Sequence, residues 1–348
     1  MWKQSEIRTM SKLKVGVIGV GHLGRIHAKL YNEVESAELV GVYDTDQEKA
    51  EQVARELNTI SFKTQDELLE KADAVNIVTP TSDHYNTAAQ ALQQDCHLFI
   101  EKPIMAREDE AERIISLAKE KNKVIQVGHI ERFNPAILAL QDVPLRPLFI
   151  ESHRLASFNP RGTDVAVILD LMIHDLDLIL SLVKSKPVQI DASGVGVISE
   201  TVDIANARIS FESGCVANIT ASRISAKKMR KMRIFQTNSY ISVDFSEGFS
   251  EIFYIDDKAE NKFQDGTLAF SLGQIQAGSH SKDIKYNKLL RKDVNPLKYE
   301  LNGFVESILA NIPPLVSGEE GLAALKLANA VLEKIDENTR KVNAEVKL

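Results

Sequence analysis

A glycine-rich turn near the start of the sequence has the residue types and spacing that bind phosphate groups. It consists of Gly19, Val20, Gly21, His22, Leu23 and Gly24, a complete GxGxxG pattern. An apolar, mostly β-branched run precedes it and a helical pattern follows at once, as where a buried parallel strand leads into a helix. Gly19 permits the tight turn, Gly21 lets a pyrophosphate approach the backbone, and Gly24 lets the helix pack closely. The turn therefore predicts dinucleotide binding at a helix N-terminus.

An acidic residue at the end of the next predicted strand supports this prediction. The strand covers residues 39–43 and is followed by Asp44. A carboxylate in this position accepts hydrogen bonds from the adenosine ribose hydroxyls and repels a 2′-phosphate, which predicts NAD rather than NADP. The alternative is that Asp44 only caps the helix that follows Asp46.

The sequence Glu101-Lys102-Pro103 follows a predicted strand at 97–100. Open α/β sheets bind ligands at the carboxyl ends of their strands, so we expect this lysine at the ligand edge. An amine there can exchange a proton with a substrate hydroxyl while a nicotinamide takes the hydride. Pro103 fixes a backbone φ angle and can keep the turn rigid. The alternative is an exposed lysine at a strand end with no catalytic role.

A second candidate group lies in the apolar segment VILDLMIHDLDLIL. His174 follows Asp170 by one helical turn, so a helix places both on one face. An imidazole titrates near neutral pH and can accept the proton of a hydroxyl, and Asp170 can orient it or bind a sugar hydroxyl. The alternative is a structural His–Asp pair in the helix packing. Asp175 and Asp177 are interpreted as ordinary residues of the polar helix face.

Other polar residues near predicted strand ends are weaker candidates. Arg132 and Asn134 follow the last predicted strand of the first half, where a guanidinium can hold a diphosphate or a carboxylate. His27 is predicted to pack against the sheet rather than bind a ligand. A site role and a solvated loop explain three further residues equally well, namely His153, Arg154 and Arg161.

A basic run in the second half is interpreted as the solvated rim of a hairpin, with a diphosphate contact as the alternative. It comprises Lys227, Lys228, Arg230, Lys231 and Arg233. No histidine or cysteine has metal-ligand spacing, so we predict no metal.

Strands and helices alternate through the first part of the chain. Short strands are predicted at 60–62, 74–78, 97–100 and 124–127, and helices at 47–58, 65–71, up to about 94, and 108–121. Thr81 or Ser82 is predicted to cap the third of these helices. Such alternation predicts an α/β fold with a doubly wound parallel sheet. We expect an NAD-binding Rossmann domain at 12–134.

From about residue 146 the predicted strands become longer and alternate between apolar and polar residues. This pattern predicts a C-terminal α+β domain at 135–348, with an open-faced, mostly antiparallel sheet. One strand is predicted across MRIFQTNSYISVDFS, and one helix across 170–183. Residues 256–295 show little pattern and are interpreted as a long loop or partly disordered segment. Two amphipathic helices are predicted at the end of the chain, and packing of these helices against the first domain is one arrangement that we consider.

Composition excludes several classes of protein. The 348 residues carry a net charge of −7, which argues against partners that are polyanions, so we predict neither nucleic-acid nor membrane binding. The two cysteines, Cys96 and Cys215, lie far apart and are interpreted as reduced thiols of a cytoplasmic protein. The first residues lack a secretory signal pattern, and 1–10 are interpreted as a frayed extension or an alternative start.

Four motifs occur in an order that resembles the Gfo/Idh/MocA family of sugar dehydrogenases. They are GVGHLGRIHA at 19–28, TPTSDH at 79–84, Glu101-Lys102-Pro103, and Asp-x-x-x-His at 170–174. The resemblance covers about residues 12–340. GHIERFNP at 128–135 and NPLKYEL at 295–301 further resemble a branch that contains UDP-N-acetylglucosamine 3-dehydrogenases.

The resemblance implies roles for several of these residues. Lys102 would polarise or deprotonate the substrate hydroxyl, and Glu101 would hold the nicotinamide ribose. Thr79, Pro80 and His84 would lie near the cofactor, although a place in the first turn of a helix explains His84 almost as well. The family resemblance also implies an active site in the crevice between the two domains.

The expected function is NAD-dependent oxidation of a secondary ring hydroxyl of a sugar or nucleotide-sugar to a ketone. The specific substrate that we expect is UDP-N-acetylglucosamine, oxidised at its 3-position. A free sugar or cyclitol is the alternative substrate, and an NAD-binding sensor is an alternative from a different class. A sheet with one free face is usually covered by a second subunit, so we also expect a homodimer or homotetramer.

Overall fold

The computed structural model of the chain describes residues 12–159, 165–255, 270–277 and 280–346, and these form two units. The first unit runs to Ile130 and includes Asn295–Leu322. The second unit contains Glu131–Val294 and continues from Ala323. The predicted boundary after residue 134 lies close to the first junction. The prediction of one boundary did not include the segment that returns to the first unit at Asn295.

The first unit is built on a five-stranded parallel sheet with the order β2-β1-β3-β4-β5. Its strands are β1 (Leu13–Ile18), β2 (Ala37–Tyr43), β3 (Ala74–Ile77), β4 (His97–Glu101) and β5 (Ile125–Gly128). The helices that alternate with them are α1 (His22–Tyr31), α2 (Gln47–Leu57), α3 (Gln65–Leu69), α4 (His84–Gln93) and α5 (Glu108–Glu120). Strands β1, β3, β4 and β5 are mostly buried, because helices cover parallel sheets on both faces. The predicted doubly wound sheet is confirmed.

Two local predictions for this unit are wrong. Residues 60–62 do not form a strand but a single parallel bridge from Ser61 to Val42. The extended stretch stops there because Thr64 starts α3 with a capping box. Neither Thr81 nor Ser82 caps α4, because Thr81–Asp83 forms a 3₁₀ turn that runs directly into the helix.

The second unit is built on a nine-stranded sheet with the order β13-β14-β12-β11-β10-β6-β9-β8-β7. Its strands are β6 (Phe149–Leu155), β7 (Pro187–Val195), β8 (Ile204–Phe211), β9 (Val216–Ser222), β10 (Met229–Gln236), β11 (Ser239–Asp244), β12 (Phe249–Ile255), β13 (Phe270–Ala277) and β14 (His280–Leu290). All neighbours are antiparallel except β6 and β9. The predicted mostly antiparallel sheet is confirmed.

Helices cover one face of this sheet. The unit contains α6 (Pro135–Leu138) and α7 (Ile173–Val183), which a π-helical turn at Ile168–Met172 precedes. The two C-terminal helices are α8 (Pro296–Leu309), in the first unit, and α9 (Gly318–Val346). Alternate strand residues such as Ile150 and Ile234 pack into one apolar core with α7 and with residues of α9.

Two predictions for the second unit are also wrong. The segment expected to form one strand across 232–246 belongs to two strands, β10 and β11, which a tight hairpin joins. Asn238 makes this turn with a φ of 63°, a conformation that asparagine tolerates. The segment 256–295 is not a long loop throughout, since it contains the β13–β14 hairpin and ends at Asn295, the N-cap of α8. Residues 256–269 and 278–279 of it lie outside the described residues, as do 1–10 and Arg161.

The fold makes the stability of the first unit sensitive to acid through His97. Its Nδ1 accepts a hydrogen bond from Val124 N–H at 3.0 Å. Burial and the nearby Lys123 charge lower the pKa of His97 to about 4. Because the unfolded chain binds this proton at about pH 6.5, this contribution to stability is lost as the pH falls from there toward the folded value.

We expect His97→Asn to flatten this acid dependence, because an amide oxygen can still accept from Val124 N–H but does not titrate. Urea unfolding between pH 7 and about pH 4 measures the effect. His97→Leu is the matched control, since loss of the acceptor should lower stability at every pH. A His97→Asn variant with the wild-type pH slope would contradict the prediction.

Candidate active site

The turn from β1 to α1 forms an open cradle of backbone. Gly19 has a φ of +85°, and a Cβ there would lie 2.7 Å from the carbonyl oxygen of Val78. A Cβ on Gly24 would overlap the carbonyl oxygen of Gly19. A Cβ on Gly21 would meet nothing within 4 Å, so the space above this glycine is open. Two of the three glycines are thus needed for packing, and the third leaves room for a ligand.

The first turn of α1 suits the phosphates of a dinucleotide. Gly21 is its N-cap and supplies no side chain to the backbone N–H groups of the turn, which also contains no acidic residue. His22 and Leu23 are exposed. Such a helix start attracts anions through its N–H groups and its dipole. The residues present therefore fit NAD, whose pyrophosphate would lie against Gly21.

Asp44 connects the end of β2 to this glycine turn. Its carboxylate accepts hydrogen bonds from Val20 N–H at 2.8 Å and from Asp46 N–H at 2.9 Å. The alternative that Asp44 caps α2 is wrong, because Asp46 is the cap and accepts from Lys49 N–H. Asp44 therefore lies beside the cradle, where the ribose prediction requires an acidic group.

Lys102 directly follows the carboxyl end of β4, and it is half-buried. Its backbone N–H donates to Glu101 Oε2 at 3.2 Å. The other oxygen of Glu101 lies 3.1 Å from His27 Nε2. His27 is buried in α1 against the sheet, as its sequence position predicted. The carboxylate next to Lys102 is thus hydrogen-bonded to the backbone of Lys102 and in contact with the imidazole of His27.

His84 joins the loops that follow β3 and β4. It is buried, and its Nε2 lies 3.0 Å from the carbonyl oxygen of Thr79, while its Nδ1 lies 3.1 Å from that of Pro103. Burial lowers the pKa of His84 below its usual value. The side chain hydroxyl of Thr79 is buried, and among the described residues it has no hydrogen-bond partner, while Pro80 is exposed. A cofactor role for these three residues stays a prediction.

Asp170 and His174 lie in one continuous helix of the second unit. Asp170 is in the π-helical turn, and His174 is in the first turn of α7. Both side chains are half-buried. Short π-helical turns occur frequently at functional sites, where they change the direction of side chains.

The interpretation of Asp175 and Asp177 as polar-face residues is wrong, because each is only 1% exposed. Asp175 accepts from Arg154 Nε at 2.6 Å and from the Ser152 hydroxyl at 2.8 Å. Asp177 accepts both fork nitrogens of Arg132, at 2.8 and 2.6 Å. Both carboxylates lie on the buried side of α7, and carboxylates can be buried there only when they are paired.

Residues predicted to bind the substrate make hydrogen bonds and ion pairs within the second unit. Asn134 caps α6 by accepting from Ala136 N–H at 3.1 Å, and its amide donates to the carbonyl oxygen of Phe245 at 3.1 Å. Arg154 is not in a solvated loop but pairs with Glu131 at 3.0 Å as well as with Asp175. The substrate roles of Arg132 and Asn134 stay predictions.

The basic run is not the solvated rim of a hairpin throughout. Arg230, Lys231 and Arg233 lie within β10. Each pairs with a carboxylate, in Arg230–Glu131, Lys231–Asp244 at 3.0 Å and Arg233–Glu151 at 2.6 Å. Lys227 and Lys228, which precede the strand, are exposed.

Gly21 and Gly24 give a matched pair of substitutions. We expect Gly21→Ala to fold normally and to weaken NAD binding about tenfold or more, because its Cβ occupies space open to the pyrophosphate. Gly24→Ala should lower the thermal midpoint sharply, because its Cβ overlaps backbone. Calorimetric NAD titration and thermal unfolding measure both effects. A Gly21→Ala variant that binds NAD as wild type does would contradict the cradle assignment.

Comparisons with known proteins show which family the chain belongs to. The family described as "Oxidoreductase family, NAD-binding Rossmann fold" matches residues 13–129, and the "GFO/IDH/MocA C-terminal domain" matches residues 150–242. A UDP-N-acetylglucosamine 3-dehydrogenase of Acidithiobacillus ferrooxidans is 44% identical over 246 residues, which cover 70% of this chain and 78% of that protein.

Two further comparisons extend over nearly the whole chain. A crystal form of the Acidithiobacillus ferrooxidans enzyme superimposes with a TM-score of 0.83 at 36% identity and covers 94% of this chain and 99% of that one. A myo-inositol 2-dehydrogenase of Thermotoga maritima is 26% identical and covers 93% of this chain and 97% of that protein. The chain therefore belongs to the Gfo/Idh/MocA family of NAD-dependent oxidoreductases.

Proposed function

We propose that this enzyme oxidises the 3-hydroxyl of UDP-N-acetylglucosamine to a ketone. The observation that carries the reaction class is the half-buried Lys102 beside an ordered carboxylate, on the same sheet edge as the dinucleotide cradle. The choice of substrate is supported by the relative at 44% identity, a UDP-N-acetylglucosamine 3-dehydrogenase. A cyclitol substrate is the second candidate, because the myo-inositol 2-dehydrogenase matches over 343 residues.

In this proposal the bound nicotinamide supplies the hydride acceptor, and the residues of the chain handle the proton. Lys102 polarises the substrate hydroxyl, and His174 accepts its proton as the general base. Asp170 orients the imidazole or binds a neighbouring hydroxyl of the ring. Glu101 accepts hydrogen bonds from the nicotinamide ribose and Asp44 from the adenosine ribose. Arg132 and Asn134 contribute to binding of the substrate diphosphate.

The proposed location is the cytoplasm, where thiols stay reduced. Both cysteines are free and buried. Burial raises the pKa of each thiol to about 11, which keeps it unreactive. Within the described residues, no helix has the length and apolar content needed to cross a membrane. The absence of a metal stays a prediction.

The outer face of the nine-stranded sheet supports a homo-oligomer. A row of half-buried aromatic rings crosses five strands, with successive ring centroids 5.6, 5.0, 5.5 and 5.0 Å apart. The row consists of Phe149, Phe235, Tyr240, Phe253 and Tyr286. The ion pairs Arg233–Glu151 and Lys231–Asp244 lie beside it. Because both charge signs are present, a second copy related by a two-fold axis can meet complementary charges.

The substrate proposal is tested by nicotinamide absorbance with NAD and one sugar at a time. We expect reduction of NAD with UDP-N-acetylglucosamine but not with UDP-glucose or myo-inositol. Lys102→Met should lower kcat by about 10²–10³-fold, the usual cost of removing one group that stabilises a developing negative charge on oxygen. Lys29→Met, at an exposed position of α1, is the matched control. A signal with myo-inositol alone would replace the nucleotide-sugar by a cyclitol, and wild-type turnover by the Lys102→Met variant would refute the role of Lys102.

The oligomer proposal is tested by light scattering at micromolar concentration. We expect two or four chains for the wild type and a smaller assembly for Tyr240→Lys, because a charge in the aromatic row opposes its burial. Ile60→Lys changes a 57% exposed apolar residue in the first unit and should leave the mass unchanged. A wild-type mass of one chain would refute the proposal.

A further inference from the structure

A chain of buried polar groups runs through the first unit and ends at Glu101. The Tyr31 hydroxyl donates to Asn76 Oδ1 at 2.6 Å, and Asn76 Nδ2 lies 3.0 Å from His27 Nδ1. His27 Nε2 lies 3.1 Å from Glu101 Oε1. Tyr31, Asn76 and His27 are all at most 1% exposed. The chain connects α1, β3 and β4, and none of its first three members belongs to the proposed catalytic group.

The carboxylate of Glu101 fixes the direction of the bonds in this chain. A carboxylate only accepts, so a neutral His27 must carry its proton on Nε2. Nδ1 is then an acceptor, and the amide nitrogen of Asn76 must face it. The amide oxygen therefore faces Tyr31, whose hydroxyl donates. The described residues give His27 Nε2 no aligned hydrogen bond, so Glu101, an off-axis contact at 3.1 Å, is the acceptor available to it.

Glu101 is also confined on its other sides. Its Oε2 accepts from Lys102 N–H at 3.2 Å. A Cβ on Gly128 would lie 2.8 Å from Oε1, so the strand beside Glu101 has no side chain at the point of closest approach. The side chain of Glu101 remains 13% exposed. The carboxylate therefore has a restricted orientation and keeps an opening through which a ligand hydroxyl can reach it.

We propose that His27 is a positioning residue for the cofactor site. Supported by Asn76 and Tyr31, its Nε2–H sets the orientation of the Glu101 carboxylate, and this carboxylate holds the backbone at Lys102. The inference rests on the proposed role of Glu101 at the nicotinamide ribose. It requires no particular sugar, so it is tested by NAD binding alone.

Two amide substitutions distinguish the roles of the two ring nitrogens of His27. The amide of His27→Gln reaches the place of Nε2 and keeps a donor toward Glu101, whereas that of His27→Asn reaches only the place of Nδ1 and keeps the contact with Asn76. We expect the Kd for NAD to rise about tenfold or more in His27→Asn, the usual loss for a hydrogen bond to a charged group. His27→Gln should stay within about threefold of the wild type on the same scale.

Phe99→Leu controls for a merely structural role. The Phe99 ring packs edge-on against His27 at 5.5 Å, so its truncation should lower the thermal midpoint without removing the donor. We expect the Phe99→Leu variant to keep wild-type NAD affinity at a reduced thermal midpoint. The inference is overturned if the two amide variants bind NAD equally, or if Phe99→Leu weakens binding as much as His27→Asn does. A failure of UDP-N-acetylglucosamine to react would refute the substrate proposal and leave this result intact.

Discussion

The close approach of α1 to the parallel sheet is the constraint on which the first unit depends. Because Gly24 has no side chain, the helix can lie against the backbone of Gly19. The same buried helix face continues through His27 and Tyr31, one and two turns later. The same packing of α1 against the sheet therefore positions the phosphate cradle at the helix start. It also places Tyr31 and His27 in the polar chain that ends at Glu101.

Three acidic side chains, one in the first unit and two in the second, accept hydrogen bonds from several donors each. Asp44 accepts from two backbone N–H groups, and Asp175 from a guanidinium and a hydroxyl. Asp203 accepts from three consecutive backbone N–H groups, at Val197, Ile198 and Ser199. These hydrogen bonds hold the pKa of Asp203 well below its usual value. A charge buried without such donors would cost several kcal/mol, so each pair fixes the local backbone.

The consequence for α7 is a defined rotation about its own axis. Asp175 and Asp177 point to Arg154 and Arg132, and the apolar residues between and beyond them fill the core of the second unit. His174 is left half-buried. Ion pairs that contribute little net stability can still select one packing arrangement, because the alternatives leave a buried charge unpaired. Here the selected arrangement is the one in which the candidate base is accessible.

The sequence alone determined the features that repeat locally. Alternating strands and helices predicted the parallel sheet, alternating polar and apolar residues predicted the antiparallel one, and glycine spacing predicted the cradle. These signals are local, because each is set by a few neighbouring residues. Strand and helix periodicity can be read within a short window, and the conformations open to glycine depend on that residue alone. The same locality explains the two hairpins that sequence patterns missed, since one depends on a single left-handed residue, Asn238.

Only the tertiary structure decided which polar residues are paired. Asp175 and Asp177 look like solvated helix residues until the fold brings Arg154, 21 positions away, and Arg132, 45 positions away, against them. His27 looks like a packed histidine until β3 and β4 bring Asn76 and Glu101 to its two ring nitrogens. Pairing across strands depends on side-chain distances that no spacing encodes. The physical reason is that burial forces polar groups to find partners wherever the fold provides them.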